Sequence, residues 1–500
     1  MIPQSELRQQ VEDLLKKTGS SVMSGLAYDT SWVARMSEID RDLGNQALEW
    51  LSENQLSDGS WGTKEPMYYH DRVISTLAAM IALTKKGRRT MDKRSIELGL
   101  YALERITEGA TQGLLTDPNG ATVGFEMIAP TLVAEAERLG IIKKQGERVL
   151  GRISKMREAK MARIKGKLIN KYITTAFSTE MVGREGLEKL DIANLQEANG
   201  SIGHSPAATV FYMLEINAGD SNALNYLRSA MKPDGGFCDL YPFESFERAY
   251  VLWNLLLVEN WDSSIRALMR PHLDYLYKAW KPGKGISYSA LSCVPIDADD
   301  TIYAYDMLKQ HGYDVDIEAV LALEEEDHFR CYELEVGLSP SVNIHAMHML
   351  LKHGYDPAHP TIQKLLRYLE SVKISDAYWT DKWHSSPYYS TTHYIIACAG
   401  YQDHQAAASV EWLLGNQNPD GSWGFFMPTA EETAECLQAL CVLEKKTGKD
   451  YSDAIEKGRD WLESHLETPY PPLWIGKGLY CPELIVRSTI LSAMTLVANR

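Results

Sequence analysis

No C-x-x-C pair occurs in the 500 residues, and the seven cysteines, Cys238, Cys293, Cys331, Cys398, Cys436, Cys441 and Cys481, are scattered. That usage suits a reducing compartment and excludes a disulfide framework. No run reaches the roughly 18 uncharged apolar residues that span a bilayer, so no stable membrane insertion is expected. The opening "MIPQSELRQQVEDLLKKTG" reads as an amphipathic helix without the apolar core and cleavage site of a secretory signal. A soluble, cytoplasmic protein is expected. Positive charge is scarce: 51 Lys+Arg against 67 Asp+Glu leave a net charge of -16, which opposes polyanion binding outside a local basic pocket. Nucleic acid is not an expected partner. Strand-like alternation is almost absent as well.

Helical periodicity fills the chain instead. In "HDRVISTLAAMIALTKK", Val73, Ile74, Leu77, Ala78 and Ile81 fall on one face and lysines close the C-terminal end. "MLKQHGYDVD" and "MLLKHGYDPA" each end a helical pattern on a glycine, Gly312 and Gly354, about 40 residues apart, the length of a helical hairpin repeat. The turns "SDGSWG" (57–62) and "PDGSWG" (419–424) follow Gln55 and Gln417, and "PDGGFCDLYP" and "EANGSIGHSP" are degenerate relatives. Asp-Gly makes the tight turn and the tryptophan packs back on helix ends. Because single cores stop growing near roughly 250–300 residues, the expected class is all-α with two α/α-barrels.

One stretch resists a purely structural reading. "CVPIDADDTIYAYD" places Asp297, Asp299 and Asp300 between Pro295 and a helical pattern. One carboxylate suffices to cap a helix. The dipole favours the anion by about 0.3–1 kcal/mol, whereas burial and neighbouring carboxylates raise a pKa by several units. Such a cluster can keep a proton and aim it at a weak base such as an alkene, in a dry cavity whose aromatic walls stabilise a cation. Among the 26 tyrosines and 12 tryptophans, Tyr288, Trp379, Trp383, Tyr388, Tyr389 and Trp423 lie near these motifs.

"DADDT", "AYDTSWVAR" (27–35), "DGSWG" with "YYHDRVISTLAAM", "VGFEMIAPTL" (123–132) and "DKWHSSPYYSTTHY" (381–394) occur in the order in which related blocks stand in class II diterpene cyclases. The chain resembles that family over essentially its whole length. The resemblance implies two helical barrels, β from residues 1–25 and 265–500 and γ from 26–264, with the active site between them. It implies protonation-initiated cyclisation of geranylgeranyl diphosphate with the diphosphate retained for a downstream diterpene synthase or transferase. Asp299 takes the place of the general acid, Asp297 and Asp300 tune it, and Asn343 or His345 in "SVNIHAM" supplies the donor that holds it. The D-D-x-x-D motif that would ionise the diphosphate is missing, since Asp299-Asp300 is followed by Thr301, Ile302 and Tyr303.

For the diphosphate, the candidates are Lys167 and Lys171 in "KGKLINKYI", Lys382 in "DKWH", and Mg²⁺ held by Glu126 and Asp117. Cyclases that make unrearranged ent-copalyl diphosphate carry a histidine and an asparagine as a water-holding base where this chain has Phe177 and Asp239. Phenylalanine cannot accept a proton, so the bicyclic cation should live longer and rearrange. A halimadienyl or clerodienyl (kolavenyl-type) diphosphate is therefore expected, with Phe177, Asp239, Trp379 and Tyr288 shaping the product. The alternatives are an unrearranged copalyl-type synthase, a sesquiterpene (drimenyl-type) or squalene-type cyclase, and a non-catalytic toroidal scaffold.

Overall fold

The computed structural model describes residues 3–500 apart from 88, 110–120, 144, 151–152, 164–165, 293–295, 334–336 and 338. Asp117 and Pro295 therefore lie outside the described residues. Six helices, Glu244–Leu256, Ala298–Gln310, Pro340–Lys352, Pro387–Cys398, Ala430–Thr447 and Glu483–Ala498, pack each on the next, and the last returns to the first. This is a closed inner ring. Its members are buried nearly all round, as Pro387–Cys398 is at every position. The helices outside the ring are amphipathic: Pro360–Ser371 buries Thr361, Ile362, Leu365, Tyr368 and Leu369, a spacing of three and four that forms one stripe. Ser339, Ser386 and Thr429 cap inner helices, and proline at the first turn of Pro340–Lys352 and Pro387–Cys398 presets the backbone.

A second, smaller ring joins Ala27–Ala34, Tyr69–Lys86, Phe125–Arg138, the 3-10 segment Thr174–Val182 and Pro206–Glu215. The two cores divide between Phe237, the last member of the N-terminal core, and Ala249, where the C-terminal core resumes. The expected boundary at residue 264 thus moves toward the N-terminus. Helix Glu244–Leu256 is an inner member of the C-terminal ring because Ala249, Tyr250, Val251, Leu252, Trp253 and Leu255 bury against it. The opening helix Gln4–Lys17 lies outside that ring on Glu483–Ala498 and Ser263–Ala279.

The repeated turns are structural. The N–H of Trp61 bonds Thr76 Oγ1 at 3.0 Å, and its indole N–H bonds Leu51 O at 2.7 Å. Trp423 does the same with Thr433 and Leu413, at 3.0 and 2.9 Å. The backbone bond to a threonine of a ring helix recurs at Ile202, Phe237, Ile286 and Trp379, so six turns share it where four were legible. Trp379 belongs to this set, with its indole on Leu369 O at 2.9 Å. It is a turn tryptophan, and the product-shaping role expected of it is withdrawn. No helix among the described residues is long and apolar enough to cross a membrane.

Candidate active site

Asp297 ends an extended stretch and caps Ala298–Gln310 by accepting the Asp300 N–H at 3.0 Å, while the Tyr332 hydroxyl donates to its other oxygen. The first turn of the helix then buries Asp299 and Asp300. Asp299 Oδ1 lies 2.6 Å from His345 Nδ1, and His345 Nε2 lies 2.7 Å from His393 Nδ1. Burial, followed by the neighbouring His345, holds His393 well below its ordinary pKa, so His393 is neutral. Asp299 Oδ1 accepts from His345 Nδ1–H, which leaves Nε2 to accept from His393 Nδ1–H and Oδ2 as the Asp299 oxygen that can carry a proton.

Neither oxygen of Asp300 has a hydrogen-bond partner. Burial and then the Asp297 and Asp299 carboxylates push its pKa well above the usual range, and Asp297 is pushed up to about 6 by burial and Asp299. The three aspartates therefore retain a proton among them. Asn343, the other candidate donor, is spent elsewhere: its amide accepts the Phe329 N–H and donates to the Phe329 and Ser339 carbonyls. The side chain that reaches Asp299 is His345.

Aromatic rings surround this chain of bonds. Tyr303 stands over His345 at 4.7 Å and stacks on Trp253 at 5.0 Å; Tyr389 meets His393 at 4.5 Å, and Tyr250 meets both Tyr303 and Trp474. Such faces stabilise positive charge without offering a nucleophile. Of these, only Tyr389 stood among the aromatics singled out in the sequence. Tyr303 was legible as one helical turn beyond Asp299, whereas Trp253 and Tyr250 were hidden by the misplaced boundary. Tyr288 approaches from the other side, its hydroxyl 3.5 Å from Gly203 O beside the Phe177 backbone.

Phe177 and Asp239 meet at a buried lysine that the sequence did not bring forward. Lys477 has no exposure, lies over the Phe177 ring at 4.4 Å and gives its own N–H to Asp239 Oδ2 at 2.8 Å. Burial pushes Asp239 up to about 6, against the opposing pull of Lys477.

The diphosphate and metal candidates separate. Lys167 is exposed and Lys171 reaches the Gln196 carbonyl at 3.5 Å. Lys382 donates to Gly337 O at 3.1 Å, and desolvation lowers its pKa. Glu126 is bound to Lys160 at 2.7 Å. Of the two Mg²⁺ candidates, Glu126 is thus already paired with an ammonium and Asp117 lies outside the described residues. The described residues whose ligand atoms do converge are His384, Glu431 and Glu435, at another place.

Known proteins resemble this chain in sequence and fold. The profile of the squalene-hopene cyclase C-terminal domain matches residues 336–431. A type B diterpene cyclase of Mycobacterium tuberculosis is 44% identical over 490 residues, 97% of this chain and 98% of that protein. The (+)-kolavenyl diphosphate synthase of Herpetosiphon aurantiacus is 30% identical, with 98% and 97% covered. The solved ent-copalyl diphosphate synthase of Streptomyces platensis superposes with a TM-score of 0.78 at 25% identity over 99% of this chain and 100% of that one. These relatives set aside a non-catalytic scaffold, and the chain belongs to the class II diterpene cyclases.

Proposed function

We propose that this enzyme cyclises geranylgeranyl diphosphate to a rearranged bicyclic diphosphate of the halimadienyl or clerodienyl (kolavenyl) type. The observation that carries the first step is the bonded row Asp299, His345 and His393 beside an unpartnered Asp300. Asp299 gives its proton to the terminal alkene, whose π pair forms the new C–H bond. Two further π bonds then attack in turn, closing two rings and leaving the charge on a ring carbon. The hydrogen bond from His345 stabilises the carboxylate left behind, and Asp297 and Asp300 keep the neighbourhood protonated until the substrate excludes water. Trp253, Tyr303 and Tyr389 are the faces that carry the cation.

The diphosphate is not broken in this scheme. Lys160 and Lys382, one from each unit, supply counter-charge for it, and no step is assigned to Mg²⁺. The product reading rests on Phe177, which cannot accept a proton, and is supported by the likeness to a kolavenyl diphosphate synthase. Because the leaving group survives, the consuming enzyme must ionise or transfer an allylic diphosphate. Purified protein incubated with farnesyl, geranylgeranyl and longer prenyl diphosphates, then dephosphorylated and examined by mass spectrometry and NMR, tests this. A rearranged bicyclic diterpene alcohol is the expected result. An unrearranged bicycle would replace the product assignment, and no cyclic product from any chain length would overturn the whole reading.

A further inference from the structure

The segment between Trp474 and Tyr480 is the part of the C-terminal barrel that enters the other unit. Trp474 and Ile475 pair with Tyr480 and Leu479 as a short hairpin, with Gly476, Lys477 and Gly478 at the turn. Glycine is needed there for close approach: a Cβ on Gly476 would stand 1.8 Å from Asp239 Oδ2, and one on Gly478 would stand 2.5 Å from Asp71 Oδ1. The Val123 N–H bonds Gly476 O at 2.7 Å, which stitches the turn to the N-terminal unit.

A fully buried lysine is costly unless its charge is answered. Here Glu180 Oε1 lies 2.8 Å from Nζ and Ser205 Oγ 2.6 Å, and the Tyr28 hydroxyl also donates to that Glu180 oxygen. Around the ammonium, Glu180 Oε2, Asp239 Oδ1 and Asp29 Oδ2 have no hydrogen-bond partner. Burial raises the pKa of Asp29 and Asp239 while the Lys477 ammonium pulls both down, and Glu180 is the carboxyl in direct contact with Nζ. Tyr480, at the end of the same hairpin, lies in the fields of Asp239, Asp297, Asp300 and Glu431. Trp474, which opens the hairpin, meets Tyr480 at 6.3 Å and Tyr250 at 5.5 Å, so the hairpin that carries Lys477 also lines the aromatic wall of the aspartate site.

We propose that Lys477 is a specificity-determining positioning residue: its ammonium fixes the Phe177 ring and balances the Glu180 charge through Oε1, so the first bicyclic cation meets no uncompensated carboxylate and rearranges. The proposal rests on the rearranged product assigned above. Without the ammonium, a Glu180 oxygen takes a proton from the carbon next to the cationic centre, and the C–H electron pair becomes the C=C bond. The diphosphate is untouched and no redox partner is needed. With the ammonium present, proton loss waits until hydride and methyl shifts have moved the charge away.

The test is the ratio of unrearranged to rearranged product from geranylgeranyl diphosphate for Lys477→Met and for Lys477→Met/Glu180→Gln, with circular dichroism as the check on fold. Lys477→Met should raise the ratio about tenfold or more, a change of one decade in partition. The double variant, with both charges removed, should return to the wild-type ratio. A folded Lys477→Met with an unchanged ratio overturns the proposal. If Lys477→Met does not fold, the double variant decides: wild-type product supports the proposal, and unrearranged product overturns it because the acceptor is gone. Wild-type enzyme that itself makes an unrearranged bicycle defeats the product assignment, a result distinct from failure of the lysine's role alone.

Discussion

At the scale of single residues, the aspartates divide their labour by what surrounds them. Asp299→Asn keeps the shape but removes the acidic proton, so turnover should fall by about a thousandfold or more while circular dichroism is unchanged. Retained turnover would show that another carboxyl is the acid. Asp297 raises the pKa of Asp300 by charge, second only to burial. Asp297→Asn removes that charge, so the cluster releases its proton more readily. Activity lost as pH rises should then be lost at a lower pH than in the wild type, read as a shift of the alkaline limb of kcat/KM. An unmoved limb would mean that the triad does not set it. Phe177→His places a proton acceptor beside the Lys477 ammonium, which keeps the new imidazole neutral, and part of the product should become unrearranged. The crowding of Asp297, Asp299 and Asp300 was legible in sequence because three carboxylates exceed what one cap needs. The choice of His345 over Asn343 was not, since both stand on the first turns of Pro340–Lys352 and only the positions of Phe329 and Ser339 show that Asn343 is occupied.

At the scale of elements, the turns and the hairpin differ in what they do. Trp379→Phe removes the indole bond to Leu369 O, worth about 1 kcal/mol, and should lower Tm by about 2–4 °C for a unit of roughly 250 residues. Its product ratio should match the wild type, because the ring packs on Tyr394 at the turn and not against His345. A changed ratio would restore the product-shaping role withdrawn above. Gly476→Ala should do the opposite. Its methyl meets Asp239 and must part the hairpin from the N-terminal unit, so both Tm and product ratio should move. The tryptophan turns announced themselves by repeated residues. The hairpin did not, since its four paired residues are too few for an alternation to be read and Lys477 looked like any surface lysine.

At the scale of the whole molecule, a closed ring leaves its seam to be covered by the opening helix. Gln4–Lys17 buries Leu7, Val11, Leu14 and Leu15, each worth about 1.5–3 kcal/mol, a total comparable with the stability of a domain. Removing residues 1–19 should therefore give insoluble or molten protein, read by centrifugation and near-ultraviolet circular dichroism. The all-α class and the two-barrel plan were legible from periodicity and from the resemblance. The crossing point between the barrels was not, because Glu244–Leu256 is buried nearly all round, polar residues included, and shows no single apolar stripe that ties it to either core.

The same seam sets an order in time. Among the described residues, the buried apolar members of the smaller core all fall within residues 27–237, so most of that unit can fold while synthesis continues. Helix Gln4–Lys17 is made long before its principal partner, Glu483–Ala498. Nascent chains halted before residue 483 should resist protease across the smaller core and be cut within residues 4–17. Until Glu483–Ala498 leaves the ribosome, helix Gln4–Lys17 is an apolar stripe waiting for the surface that covers it.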